Sequence, residues 1–195
     1  IQPYASPEGL FLPETYFIQS GDTDLDVLIR ARAAMQDALM GAWSARNKSL
    51  PLTEPYEALI LASIVEKETG VASERPEIAG VFARRLALGM RLQTDPTVIY
   101  GLGAEFNGNL TRRHLRDDNN PFNTYRIAGL PPTPIALPGK EAIMASLNPT
   151  DGEALYFVAK GDGSHAFSRT LSEHEENVRR YQLKRRKDYR SSPKQ

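Results

Sequence analysis

The sequence predicts an α+β chain, mostly helical, with one small antiparallel element. Three observations carry this. Apolar residues recur at helical spacing in several segments that open on Ser, Thr or Asp, and two of these close on Gly. One stretch, near residues 155–167, has the strand–turn–strand chemistry of a hairpin. The composition is that of an ordinary globular chain: 195 residues, 41% apolar, 14 glycines and no cysteine.

The elements follow in order. Residues 1–24 are rich in Pro, Gly and aromatics and read as an extended lead-in with a short strand near Tyr16–Gln19. A helix runs from about Leu25 to Ala45, capped by Asp24. Thr53 caps the next, with Pro55 in a first turn where a missing N–H costs nothing. It runs to about Thr69 and stops at Gly70. Ser73 caps a third helix from Glu74 to Leu88, stopped by Gly89. Thr94-Asp95-Pro96 opens a short helix to Tyr100, and Thr111 caps one or two turns more. Residues 117–139, rich in Asp, Asn and Pro, are loop-like, and Lys140–Leu147 is helical. Leu155-Tyr156-Phe157-Val158 and Ala166-Phe167 flank turn residues Gly161–Ser164, which makes a hairpin. Ser172 starts a last helix, with Glu175 three residues on completing a capping box. The whole reads as one domain: a lead-in strand and helix over 1–50, a core over 51–178, and a basic helix and tail over 179–195.

Composition excludes several functions. Lys plus Arg equals Asp plus Glu at 24 each, which gives no support to a polyelectrolyte partner for the whole chain. The lack of cysteine removes thiol catalysis and cysteine-ligated zinc. His114, His165 and His174 show no ligand spacing on a common helix face. No run approaches the ~18 apolar residues of a membrane span. The first residue is Ile1, so the sequence is expected to be a trimmed fragment.

The most informative stretch is Leu59 to Gly70. On a helix, Ile60, Leu61, Ile64 and Val65 gather on one face and Glu68 falls near its centre, while Glu66 points the other way into solvent. A carboxylate on apolar ground at a helix C-terminus is pushed toward its protonated form by desolvation and by the helix dipole. A neutral carboxylic acid near pH 7 is what protonating a glycosidic oxygen requires. The other reading makes Glu68 a helix-end glutamate paired with Arg75, Arg84 or Arg85. Gln93, Thr94 and Asp95 crowd polar groups before a helix start, either as a cap or as contacts for a hydroxyl-rich ligand. In Asn119–Tyr125 the Asn side chains offer paired donors and acceptors and Tyr125 a flat face for a sugar ring, unless the segment is turn chemistry alone.

Read together, Leu61–Thr69, Ala72-Ser73-Glu74, Arg91–Gly101, Asn123-Thr124-Tyr125, Gly129-Leu130-Pro131-Pro132 with Pro134-Ile135, Tyr156-Phe157-Val158 and Gly163–Phe167 resemble the MltG (YceG-like) family, the bacterial endolytic murein transglycosylases. The resemblance implies a lysozyme-like catalytic domain that cleaves the MurNAc–GlcNAc β-1,4 bond inside glycan strands without water, leaving 1,6-anhydro ends. It places the catalytic glutamate in the Glu-Lys-Glu motif: Glu68, with Glu66 as the fallback. Gln93, Thr94, Asp95, Asn123 and Tyr125 are the candidates for sugar contacts. No cofactor or metal is implied. Peptidoglycan strands are the implied substrate and peptidoglycan synthases the implied neighbours. The family's usual membrane span and LysM-like region would precede this fragment and hold it at the periplasmic face of the inner membrane.

Three rivals remain open. A hydrolytic muramidase would use the same acid with Asp95 or Glu74 to activate water. A glycan-binding module would lack catalysis. From Arg179 to Gln195, eight Lys/Arg stand against one acid, Asp188, so this end could hold an anionic surface, though no specific nucleic acid is implied.

Overall fold

A computed structural model describes residues 6–184. Seven α-helices and a two-stranded antiparallel sheet follow one another in it, so the α+β, mostly helical expectation holds. Pro3 and Tyr4 of the lead-in, and Arg185, Arg186, Lys187, Arg190 and Lys194 of the basic tail, lie outside the described residues.

The lead-in is extended but makes no strand at residues 16–19, because no neighbouring strand offers it a ladder. It is pinned instead by buried Leu10 and Leu12, by the Leu12 N–H donating to the Ala31 carbonyl at 3.0 Å, and by the Tyr16 hydroxyl donating to the Leu12 carbonyl at 2.8 Å. Helix α1 spans Asp24–Ser44. Its cap is Thr23 rather than Asp24: the Thr23 hydroxyl accepts from the Asp26 N–H, and the Asp26 carboxylate accepts from the Thr23 N–H at 2.9 Å.

Helix α2 spans Pro55–Glu68 and is the centre of the molecule. Every residue from Ala58 to Val65 is buried, so the helix is covered on all sides rather than along one stripe. Its start differs from expectation. Glu54 is the N-cap, and Thr53 donates its N–H and hydroxyl to the Glu57 carboxylate. Around α2 lie α1, α3 (Arg75–Ala87) and α6 (Lys140–Leu147). Phe82, Leu59, Leu61, Ile64, Ile78, Ile143 and Leu147 fill the space between them. A 3-10 turn, Ala72–Glu74, precedes α3, so Ser73 does not cap it. Gly89, with φ +66°, turns the chain out of α3 as its position predicts.

Helix α4 (Asp95–Leu102) opens with Pro96 in its first turn, and α5 (Arg112–Leu115) is a single turn capped by Thr111. Strands β1 (Tyr156–Ala159) and β2 (His165–Ser168) pair in the register Phe157 to Phe167. Helix α7 (Leu171–Val178) starts one capping box earlier than expected. Thr170 is its N-cap and Glu173 the returning carboxylate, not Ser172 and Glu175. A π-helical turn, Arg179–Leu183, continues it. The hairpin and α7 pack on each other and form a flap against the end of α3, where Phe157 meets Phe82 edge-on at 5.7 Å. Among the described residues, no helix is long and apolar enough to cross a membrane.

Candidate active site

Between the helical body and this flap runs a groove of about 580 Å³. Glu68, the last residue of α2, stands in its wall with Gln93, Thr94, Asp95 and Tyr125, and across from them are Tyr156, His174 and Gln182.

The turn from Leu92 to Asp95 is held by a buried threonine cluster. The Gln93 N–H donates to the Thr124 carbonyl at 3.1 Å and the Thr94 N–H to the Thr124 hydroxyl at 3.0 Å. The Thr97 hydroxyl lies 2.8 Å from that of Thr124 and donates to the Thr94 carbonyl at 2.8 Å. Gln93 has φ +53°, the one non-glycine among the described residues in the left-handed region. Such a conformation costs about 1 kcal/mol or more and persists where its surroundings fix it. Here the outcome is that the Thr94 hydroxyl, itself buried, donates to Glu68 Oε1.

Glu68 pairs with no cation among the described residues; the expected partners Arg75, Arg84 and Arg85 are all engaged elsewhere. Burial pushes its carboxyl up to about 7; the Thr94 hydroxyl pulls it down, and the nearby Asp95 charge pushes it up again. Glu66 does not face solvent as its place on the helix suggests. Its Oε2 accepts from the Gly139 N–H at 3.1 Å and its Oε1 lies 3.7 Å from Arg75, because the Pro-rich segment before α6 covers that side of α2. Glu66 does not line the groove.

Asp95 is not the cap of α4, where Thr94 holds that position without a side-chain bond. It accepts from the Tyr125 hydroxyl at 2.6 Å. Burial first, and then that bond and the Asp95 charge, raise the Tyr125 phenol and keep it neutral. Asn123 does not reach the groove. It is fully buried, its Nδ2 donates to the carbonyls of His114 and Asp117, and its Oδ1 accepts from the Tyr125 N–H. Its polar atoms fold the loop that presents Tyr125. Glu74 is also elsewhere, accepting from the His165 N–H at 2.9 Å with its other oxygen 2.8 Å from His165 Nδ1. That contact ties β2 to the start of α3.

Sequence reasoning missed Arg85, Tyr156, His174 and Gln182. Arg85 had left a signal: it follows Ile78 and Phe82 on the buried stripe of α3, where a cation is out of place. Tyr156 and His174 are stacked, with ring centroids 5.2 Å apart, across a strand and a helix that only the fold brings together. Among the described residues, no group of three or more His, Asp or Glu could hold a metal ion.

A profile of the YceG-like family matches residues 2–180. The chain belongs to the YceG-like family. Within that family it is 35% identical over 174 residues to the endolytic murein transglycosylase of Bacillus subtilis (strain 168), covering 89% of this chain and 48% of that one. It is 34% identical over 175 residues to the endolytic murein transglycosylase of Streptococcus pneumoniae serotype 2, covering 88% of this chain and 31% of that one. The crystal structure of a yceG-like protein from Listeria monocytogenes superimposes with a TM-score of 0.74 at 36% identity, over 87% of this chain and 55% of that one. The chain thus spans about half the length of the Bacillus relative and about a third of the pneumococcal one.

Proposed function

We propose that this chain is the catalytic part of an endolytic lytic transglycosylase acting on peptidoglycan, with Glu68 as its acid and base. One observation carries the reading: a carboxyl held near pKa 7 by burial, with no cation partner among the described residues, in the wall of a groove large enough for sugar rings. The names of the Bacillus and Streptococcus relatives support the substrate.

In this reading the glycan lies along the groove with the MurNAc–GlcNAc bond at Glu68. Protonated Glu68 gives its proton to the leaving O4 of GlcNAc as the C1–O4 bond breaks and positive charge grows at MurNAc C1. The substrate's N-acetyl oxygen supports C1 from the opposite face. Ionised Glu68, steadied by the Thr94 hydroxyl, then takes the proton of the MurNAc 6-hydroxyl while O6 closes on C1. The product is a 1,6-anhydro ring, and the glutamate regains the proton it gave. The 6-hydroxyl outcompetes water because it is tethered, with effective molarities of roughly 10⁵ M or more for well-placed intramolecular groups. Gln93 and Tyr125, the latter aimed by Asp95, contact the sugars. The step calls for no cofactor. The activity fits a protein at the periplasmic face of the inner membrane, beside peptidoglycan synthases, that ends nascent strands.

The test is mass spectrometry of digested glycan with wild type and Glu68→Gln. Anhydro ends from wild type and none from the variant are expected. Reducing ends would make the enzyme a hydrolytic muramidase, and binding without cleavage by wild type would make it a glycan-binding module.

A further inference from the structure

Among the described residues, Arg85 is the one Lys, Arg, Asp or Glu buried in the core, 7% exposed, and it lines the groove. Its Nε donates to the Leu155 carbonyl at 2.6 Å, and its Nη1 to the Arg91 and Leu92 carbonyls at 3.1 and 2.9 Å and to Gln93 Oε1 at 3.4 Å. The guanidinium lies 5.0 Å over the Tyr156 ring. Among the described residues no carboxylate pairs with it and Nη2 has no hydrogen-bond partner, although Nη2 is not sealed from solvent. The cation therefore serves two purposes. Nε and Nη1 latch the hairpin to the left-handed turn at Gln93. Nη2 keeps two N–H groups without a partner among the described residues, on a side chain that lines the groove.

A buried cation held by neutral carbonyls keeps its whole charge, and such a charge is costly until an anion meets it. No described residue supplies one. The charge acts on both walls: it opposes the net rise of the Tyr125 phenol on one side and, after burial, helps lower the His174 imidazole on the other. Burial and Arg85 together keep His174 neutral, which leaves Arg85 as the groove's cation.

We propose that Arg85 Nη2 is a carboxylate-binding site that engages an acidic substituent of the glycan. This deepens the transglycosylase reading and rests on it. The substrate carries carboxylates of two origins: the lactyl ether of MurNAc, free where the stem peptide has been removed, and the stem peptide itself. Either would take a charge-assisted bond from Nη2.

The experiment measures binding of four ligands to the Glu68→Gln chain by calorimetry. They are peptide-free MurNAc–GlcNAc oligomers with the lactyl carboxyl free or amidated, and peptide-bearing oligomers with the peptide carboxyls free or amidated. In one of the two pairs the free acid is expected to bind at least about tenfold more tightly than the amide, and that pair names the source. Arg85→Gln in the same background should bring that ratio close to one, with circular dichroism reporting on its fold. Should that variant not fold, the ligand pairs on unchanged Arg85 decide alone. Acid and amide binding within twofold in both pairs would overturn the carboxylate site and leave the transglycosylase reading standing. Binding of none of the four would defeat that reading instead.

Discussion

The two walls of the groove are built in opposite ways. The Glu68 wall is made of helix ends locked by buried hydroxyls: Thr94, Thr97 and Thr124 bond to one another and to backbone, and α2 behind them is buried from Ala58 to Val65. The facing wall is a two-stranded hairpin and a short helix. The β1 residues and His174 are only half-buried, and the wall is moored to the body through few points: Phe157 on Phe82, Arg84 and Arg85 on the carbonyls before β1, and Glu74 on His165. A proton donor must be placed to a fraction of an ångström, whereas a surface that grips successive sugar rings can yield. Under the proposed function, the difference fits chemistry in the first wall and grip in the second.

The strongest way to break this contrast is Glu68→Gln. Turnover should fall by at least ~10²-fold with substrate affinity retained, read by product formation and by binding. The variant should also be the more stable protein at neutral pH. In the unfolded chain the carboxyl titrates near its ordinary value of 4.5 and in the folded chain near 7. Below pH 4.5 both states hold the proton. As pH rises from there toward 7 the unfolded state releases it first, and wild type loses stability that the glutamine variant keeps. Melting curves at about pH 4 and about pH 7.5 should show the gap open. Turnover of wild type should decline as pH rises through about 7, as the acid form is lost.

Thr94→Val comes next. The hydroxyl draws the Glu68 carboxyl down, so its loss should carry the alkaline limb of the pH–rate profile upward and lower turnover about tenfold. A profile that does not move would show that the bond has no hold on the acid. His165→Ala loosens the facing wall, so KM should rise several-fold with kcat changed little, and stability should fall by about 1–3 kcal/mol as part-buried Glu74 loses its partner. An equal fall in kcat would erase the distinction between the walls. The smallest effect belongs to Glu66→Gln. It keeps an acceptor for the Gly139 N–H and loses the charge facing Arg75, so turnover should stay within a few-fold of wild type and melting should drop slightly. A Glu66→Gln loss as deep as that of Glu68→Gln would exchange the roles of the two glutamates.

Much of the fold is legible in the amino-acid sequence. The periodicity of 55–68, 75–87 and 140–147 marks the helices within a residue or two, and the hairpin follows from its turn chemistry. Caps are ambiguous where two nearby residues compete, as at Thr23 and Asp24 or Thr170 and Ser172, because spacing alone does not say which side chain meets the free N–H. Asn123 is misleading as a candidate sugar contact because its polar atoms suit a ligand and a buried loop equally well.

The local order of the chain determined where each helix lies and that Glu68 ends α2 among apolar neighbours. It could not determine that the Pro-rich segment would cover Glu66, that Thr124 would clasp a turn about thirty residues away, or that Arg85 would meet Tyr156 across the groove. Helical periodicity acts over a few residues through the backbone. The proton affinity of Glu68 is set by its burial, and the unpaired charge of buried Arg85 by the lack of a carboxylate beside it among the described residues. Only the packed chain decides that.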